Sequence, residues 1–177
     1  MKRLIIEIKA KSNNQDRVRE ILKLRKADFK GTDHQIDTYF NVNYGRLKLR
    51  EGRIESSLVF YDRENEPGPK QSNVTLFEAD PESPLKEILT KALGILVVVD
   101  KHREIYFIDN VKFHIDTVEK LGTFIEIEAI AKDNSISKEK LLEQCQSFMD
   151  LFQISQEDLI SVSYSDLLVQ KYIDTST

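Results

Sequence analysis

Two glutamates, Glu126 and Glu128, lie two positions apart in the segment LGTFIEIEAI, whose alternation of polar and apolar residues predicts a β-strand. Successive side chains of a strand point to opposite faces, so the two carboxylates share one face while Ile125 and Ile127 share the other. Two like charges placed side by side repel each other unless a cation lies between or opposite them. The pair therefore requires a cationic partner.

Basic residues are grouped in the same way on other strand-like segments. The segment GRLKLR places Arg46, Lys48 and Arg50 on one face, and KHR places Lys101 and Arg103 together. Alternation alone favours a sheet with one packed face and one solvated face. A solvated face usually mixes both charge signs within a strand, however, whereas these charges segregate by strand. If the sheet closes into a barrel, the charged faces could point inward and meet.

A barrel interior lined with arginine and lysine must hold an anion, because unpaired buried cations are too costly. Carboxylates in the same interior would repel that anion unless a divalent metal ion bridged the two. Mg²⁺ and Mn²⁺ favour oxygen ligands, and Mg²⁺ is commonly held by one or two carboxylates together with substrate phosphates. The basic and acidic strands together therefore predict a metal–polyphosphate site, as in enzymes that transfer phosphoryl or nucleotidyl groups.

About eight strands and a few helices must position these side chains. The strands are expected at 4–11, 34–40, 45–50, 54–62, 73–79, 96–108, 111–119 and 123–130. Helices are expected at 13–26 with Ser12 or Asn13 as N-cap, from Ser83-Pro84 to Gly94, from Ser137 through Phe152, and in the tail SYSDLLVQKY. Short connections with turn residues predict an antiparallel meander. The long polar loop at 62–72 is interpreted as a hairpin connection, with a lid as the alternative.

The composition is that of one soluble domain spanning residues 1–177. Apolar residues make up 40% and charged residues 32% of the chain, which excludes the disordered class. The net charge of -4 argues against general nucleic-acid binding. Cys145 is the single cysteine, which fits a reducing compartment, and no segment has the pattern of a signal peptide or a membrane span. We therefore expect a cytoplasmic protein that binds neither nucleic acid nor membrane.

Seven motifs occur in order along nearly the whole chain: IEIK, HQIDTYF, GRLKLRE, GPK, VDKHR, HIDTVEKLGTFIEIE and SYSDLL. In this set and order the chain resembles the CYTH superfamily, the triphosphate tunnel metalloenzymes, and within it the class IV adenylyl cyclase-like branch. The resemblance implies an α+β fold, with a closed eight-stranded antiparallel β-barrel that forms a tunnel and helices packed outside. It also implies a triphosphate substrate, Mg²⁺ or Mn²⁺ as cofactor, and a homodimer.

The resemblance also implies roles for individual residues. The metal ligands would be Glu7, Glu126 and Glu128, supported by Asp116. Phosphate oxygens would be bound by Lys9, Arg46, Lys48, Arg50, Lys101 and Arg103. Catalytic roles would fall to Lys9, Arg63 and Lys70, the last two in or beside the long loop. One departure matters: the family's N-terminal signature is Glu-x-Glu-x-Lys, and its first position here is Ile5.

The expected function is that of a class IV adenylyl cyclase, which converts ATP to cyclic AMP and pyrophosphate. A triphosphatase that hydrolyses inorganic or organic triphosphate, such as thiamine triphosphate, is the first alternative, since no adenine-binding motif is readable. A module that binds polyphosphate or nucleotide without turnover is the second, and Ile5 favours it. In a third alternative, the charged residues inside the barrel pair only with one another and bind no ligand. For His114, a role in the site and a role as a structural histidine are equally good interpretations.

Overall fold

The computed structural model describes residues 2–63, 68–131 and 136–175. The strands are β1 (Lys2–Lys11), β2 (Asp28–Phe40), β3 (Arg46–Glu51), β4 (Ser57–Arg63), β5 (Lys70–Glu78), β6 (Ile95–Ile108), β7 (Val111–Val118) and β8 (Gly122–Ala131). The α-helices are α1 (Gln15–Leu24), α2 (Leu85–Leu93), α3 (Lys138–Phe152) and α4 (Tyr164–Thr175). The eight strands close into an antiparallel barrel, which confirms the predicted fold class.

The strand order around the barrel is β1-β5-β4-β3-β2-β6-β7-β8, with β8 pairing with β1. Consecutive strands pair from β2 to β5 and from β6 to β8, so the meander prediction holds for these two runs. It is wrong at β1, which lies between β5 and β8, and at β6, which pairs with β2. The helical connections explain the difference, because α1 and α2 carry the chain to strands that a two-residue hairpin turn could not reach.

Two strand boundaries differ from the predicted ones for identifiable reasons. Strand β2 begins at Asp28 instead of residue 34, and its register shifts between Phe29 and Gly31, where the glycine adopts a φ of 124°. Strand β4 begins at Ser57 instead of residue 54, because the buried Asp33 carboxylate accepts the backbone N–H groups of residues 53, 54 and 55. Those bonds fold residues 52–56 into a turn that precedes the strand.

The helix ends follow from local capping. Helix α1 is capped by Asn14, whose side chain accepts the Arg17 N–H at 3.2 Å, so the predicted caps lie one or two residues too early. Ser137 caps α3 as predicted, and α2 ends at Gly94 with a φ of 74°. Within the described residues, no helix is both long and apolar enough to cross a membrane.

The barrel is apolar on the outer faces that the helices cover, and its inner side carries the charged residues of the strands. On β1, Ile6 and Ile8 pack outward against α1 and α3, in a cluster that includes Leu22 and Leu141. The helices thus cover the apolar strand faces, which leaves the charged faces for the interior. The simpler interpretation of a solvated charged face is therefore wrong. At one end of the barrel, α4 contributes Tyr164 to a cluster with inward-facing apolar residues.

Candidate functional site in the barrel tunnel

The barrel encloses a cavity of about 1030 Å³, with wall residues from all eight strands. The predicted site residues that line it are Glu7, Lys9, Lys48, Arg50, Lys101, Arg103, Glu126 and Glu128. Alternation along each strand places these side chains inside because the opposite faces are packed under helices or lie on the barrel exterior. The structure therefore gathers most of the predicted site in one space.

Three predicted residues have other surroundings. The Arg46 Nη2 donates to Asp166 of α4 at 2.8 Å. Lys70 lies opposite Glu7 in the β1–β5 ladder. Its Nζ donates to the backbone carbonyl of Ser161 at 2.8 Å. Neither side chain belongs to the described cavity wall, and neither does Asp116. The Arg63 side chain falls outside the described residues.

A single carboxylate, Asp37, organises the basic side of the cavity. Its oxygens accept hydrogen bonds from Lys48 at 2.9 Å, from Arg50 at 2.9 and 3.0 Å, and from Lys101 at 2.6 Å. Burial alone would raise the pKa of Asp37, but the charges of Arg50, Lys101 and Lys48 hold that pKa well below its usual value. Asp37 is therefore ionised and surrounded by more positive charge than it can neutralise.

Glu55 extends this basic side toward the other end of the cavity. It accepts a hydrogen bond from Arg50 at 2.9 Å and another from Lys112 of β7. Burial would raise the pKa of Glu55, but Arg50 and Lys112 hold it well below its usual value. We call this set the cationic wall, and its members are Lys48, Arg50, Lys101, Lys112, Asp37 and Glu55.

Carboxylates dominate the side formed by β7, β8 and β1. Glu126 lies 3.2 Å from the Lys9 Nζ and 2.7 Å from an Arg103 Nη2, which also lies 2.5 Å from Asp116. The basic partners of the Glu126 carboxylate are therefore Lys9 and Arg103. Glu7 faces Glu128 across the β1–β8 ladder. We call this set the acidic wall, and its members are Glu7, Glu126, Glu128, Lys9 and Arg103, together with Asp116, the buried partner of Arg103, which does not itself line the cavity.

The acidic wall fits a divalent metal ion. Glu126, Glu128 and His114 each offer a ligand atom, and the three atoms lie within 4.8 Å of one another. His114 is buried, its Nδ1 lies 3.0 Å from Glu126, and within the described chain its Nε2 has no hydrogen-bond partner. Burial and the charge of Arg103 lower the pKa of His114, which favours the neutral, ligating form. Ile5 lines the same cavity, so the position that the resemblance assigns to a first glutamate is apolar.

Several site residues were not predicted from the sequence. Lys112 could have been predicted, because it shares a strand face with His114 and Asp116. Glu55 could not have been predicted, since its position depends on the turn that the distant Asp33 holds. Tyr164 was also missed: its hydroxyl donates to Asp116 at 2.8 Å, and the Lys9 Nζ lies 3.6 Å from its ring centroid. Tyr164 is thus placed to orient both Lys9 and Asp116, the carboxylate that pairs with Arg103.

Comparisons with known proteins agree with this architecture. The family profile of the CYTH domain matches residues 4–164. A protein of Methanocaldococcus jannaschii named "putative adenylate cyclase" is 30% identical over 173 residues, covering 92% of this chain and 97% of that protein.

Solved structures match over similar lengths. A Pyrococcus horikoshii protein is 26% identical with a TM-score of 0.74, covering 92% of this chain and 98% of that one. A "putative adenylyl cyclase" from Hippeastrum, described as having a dominant triphosphatase activity, is 14% identical with a TM-score of 0.61. That match covers 96% of this chain and 95% of the other, and at this identity it shows the fold alone.

Proposed function

The chain belongs to the CYTH domain family, and on that premise we propose that it is a metal-dependent enzyme that binds a triphosphate in the barrel tunnel and cleaves it. The observation that carries the proposal is the separation of charge in one buried cavity. The cationic wall has more positive than negative groups, while the acidic wall brings Glu126, Glu128 and His114 within ligating distance of one ion. A metal–triphosphate complex complements both walls at once.

In the proposed complex, Lys48, Arg50 and Lys101 bind phosphate oxygens, and Lys9 and Arg103 bind those nearest the acidic wall. Glu126 and Glu128 hold Mg²⁺ or Mn²⁺, together with His114 and with Glu7 on the facing strand. The bound ion would neutralise charge on the triphosphate and polarise its phosphorus–oxygen bonds. Asp116 acts through Arg103, whose guanidinium it orients by two hydrogen bonds of 2.8 and 2.5 Å.

The leading reaction is cyclisation of ATP to cyclic AMP and pyrophosphate. The name of the Methanocaldococcus jannaschii relative supports this reaction at 30% identity over nearly the whole chain. The cavity of about 1030 Å³ also has room for a nucleoside beside the phosphates. In this reaction the ribose 3′-hydroxyl attacks the α-phosphorus, and pyrophosphate leaves.

Hydrolysis of a triphosphate is the second candidate reaction. One feature of the cavity lining, the side chain of Asn110, favours it. Asn110 is the one carboxamide in the described part of the wall, and its amide already bonds elsewhere. Its nitrogen donates to the Ile130 carbonyl at 3.3 Å and to Gln144 at 2.9 Å, and its oxygen accepts from Gln144 at 2.8 Å. A substrate recognised mainly through its phosphates, such as tripolyphosphate or thiamine triphosphate, suits such a wall.

The experiment that tests the proposal compares three substrates. The chain is incubated with Mg²⁺ or Mn²⁺ and with ATP, tripolyphosphate or thiamine triphosphate, and cyclic AMP and released phosphate are both measured. Cyclic AMP from ATP supports cyclisation, and phosphate release without cyclic AMP supports hydrolysis. Tight binding of all three without any product would overturn the enzyme proposal and leave a binding module, the role that Ile5 in the wall would favour.

A further inference from the structure

We propose that the outer face of the barrel carries a second metal site, for a divalent transition-metal ion such as Zn²⁺. Its ligands are His34 of β2 and Asp100 and His102 of β6. The site goes beyond the proposed function and does not depend on it, because none of the three side chains lines the tunnel.

The strand register brings the three side chains together. His34 and His102 are direct partners in the β2–β6 ladder, and Asp100 lies two residues before His102 on the same outward face. The two imidazole rings are parallel within 2°, with centroids 4.5 Å apart. The His34 Nε2 lies 2.8 Å from the Asp100 Oδ1. One ligand atom from each residue falls within 4.8 Å of the other two.

One of the three separations is already close to what a tetrahedral zinc ion requires, and the two stacked rings would tilt to aim their nitrogens at one ion. With ligands at about 2.0 Å, neighbouring ligand atoms lie roughly 3.3 Å apart. The His34–Asp100 separation of 2.8 Å is already near that value. The widest gap can close by side-chain rotation, because the His34 and Asp100 side chains are 54% and 45% exposed. The ion would take the place of the hydrogen bond between His34 and Asp100, and water would complete its coordination.

The ligand chemistry separates this site from the tunnel. Two imidazoles and one carboxylate suit Zn²⁺, Cu²⁺ or Ni²⁺, whereas a carboxylate-rich set with substrate phosphates suits Mg²⁺ or Mn²⁺. The position also gives the ion a physical effect. His102 lies between Lys101 and Arg103 in the chain, so a metal bridge to His34 would fix the backbone directly behind two tunnel residues.

The test measures Zn²⁺ binding and thermal unfolding of the full, untagged chain. Zinc is titrated calorimetrically into the wild type, into His34→Gln/His102→Gln, and into Glu128→Gln, which alters the tunnel alone. Glu104→Gln serves as the matched acidic control for Asp100→Asn, because Glu104 lies four residues after Asp100 on the same face and pairs with Arg19. Unfolding of each variant without zinc shows that the fold is retained.

We expect one zinc ion at the outer site that Glu128→Gln and Glu104→Gln retain, with the affinity of that site falling by at least about tenfold in the histidine variant and in Asp100→Asn. At free zinc about a hundred times the dissociation constant, the wild-type Tm should rise by roughly 5–10 °C. The histidine variant should not show that rise. Zinc binding that survives loss of both outer histidines when Glu128 is also replaced by glutamine, or that disappears in Glu128→Gln alone, would overturn the proposal.

Discussion

The cationic wall and the acidic wall are built from the same kinds of buried ion pair, yet they carry opposite surpluses of charge. The cationic wall sets Lys48, Arg50, Lys101 and Lys112 against Asp37 and Glu55. The acidic wall sets Glu7, Asp116, Glu126 and Glu128 against Lys9 and Arg103. Because a buried charge is costly without a partner, each surplus would favour an ion of the opposite sign.

The comparison shows why ion pairing inside the barrel does not remove the case for a ligand. The named groups of the two walls balance at six cations and six carboxylates, so internal pairing could satisfy their net charge. Their distribution is uneven, however: three cations converge on Asp37, whereas Glu7 and Glu128 lie opposite each other as well as opposite Lys70 and Lys112 in the neighbouring ladders. A triphosphate on one side and a metal ion on the other would neutralise both surpluses.

The largest effect should come from the acidic wall. Replacing Glu128 by glutamine keeps the side-chain shape but removes one charged metal ligand, so metal-dependent turnover should fall by about 10³-fold or more. Product formation from the best triphosphate, measured at several Mg²⁺ or Mn²⁺ concentrations, checks this. Glu119→Gln is the control, because that glutamate is exposed just beyond β7. Near-normal activity of Glu128→Gln at limiting metal concentration would show that the Glu128 carboxylate does not bind the metal ion.

The next effect should come from the centre of the cationic wall. Asp37→Asn leaves Lys48, Arg50 and Lys101 without their shared buried carboxylate, so the free energy of unfolding should fall by about 3 kcal/mol. Tripolyphosphate should restore more stability to this variant than it adds to the wild type, because it supplies the missing negative charge. Urea unfolding with and without tripolyphosphate measures both quantities.

Asp150→Asn, on the exposed side of α3, is the matched control for the urea experiment. Equal stabilisation of the wild type and Asp37→Asn by tripolyphosphate would show that the anion binds elsewhere.

Asp37 also predicts a pH dependence. Its pKa in the folded chain lies well below the unfolded value of about 3.9, despite burial, because of Arg50, Lys101 and Lys48. The stability that its ionisation contributes is therefore complete above about pH 4 and is lost as the pH falls through the folded pKa. The stability difference between the wild type and Asp37→Asn should narrow below about pH 4. A difference that stays constant from pH 7 to pH 3 would contradict the assignment.

The walls also show which features can be predicted from sequence. Alternation alone groups Glu126 with Glu128 and Lys101 with Arg103, because strand side chains follow a local period. The Asp37 network depends on cross-strand partners, and the position of Glu55 depends on a turn held from β2, so neither has a local signal.

Arg46 shows a different limit of sequence-based prediction. It shares the inward face of β3 with Lys48 and Arg50, but it lies at the barrel end where α4 docks and presents Asp166. The position of that terminal helix follows from tertiary packing, which alternation does not report.

The smallest effect should come from adding charge to the acidic wall. Ile5 lines the cavity on the strand that also carries Glu7, and it occupies the first place of the family's Glu-x-Glu-x-Lys signature. Ile5→Glu should therefore tighten Mn²⁺ binding by roughly tenfold, because affinity for hard cations rises with the number of charged ligands. Ile5→Gln has nearly the same shape without the charge and should leave the affinity almost unchanged. Calorimetric titration of Mn²⁺ into both variants separates charge from shape, and equal affinities would show that residue 5 lies too far from the ion to bind it.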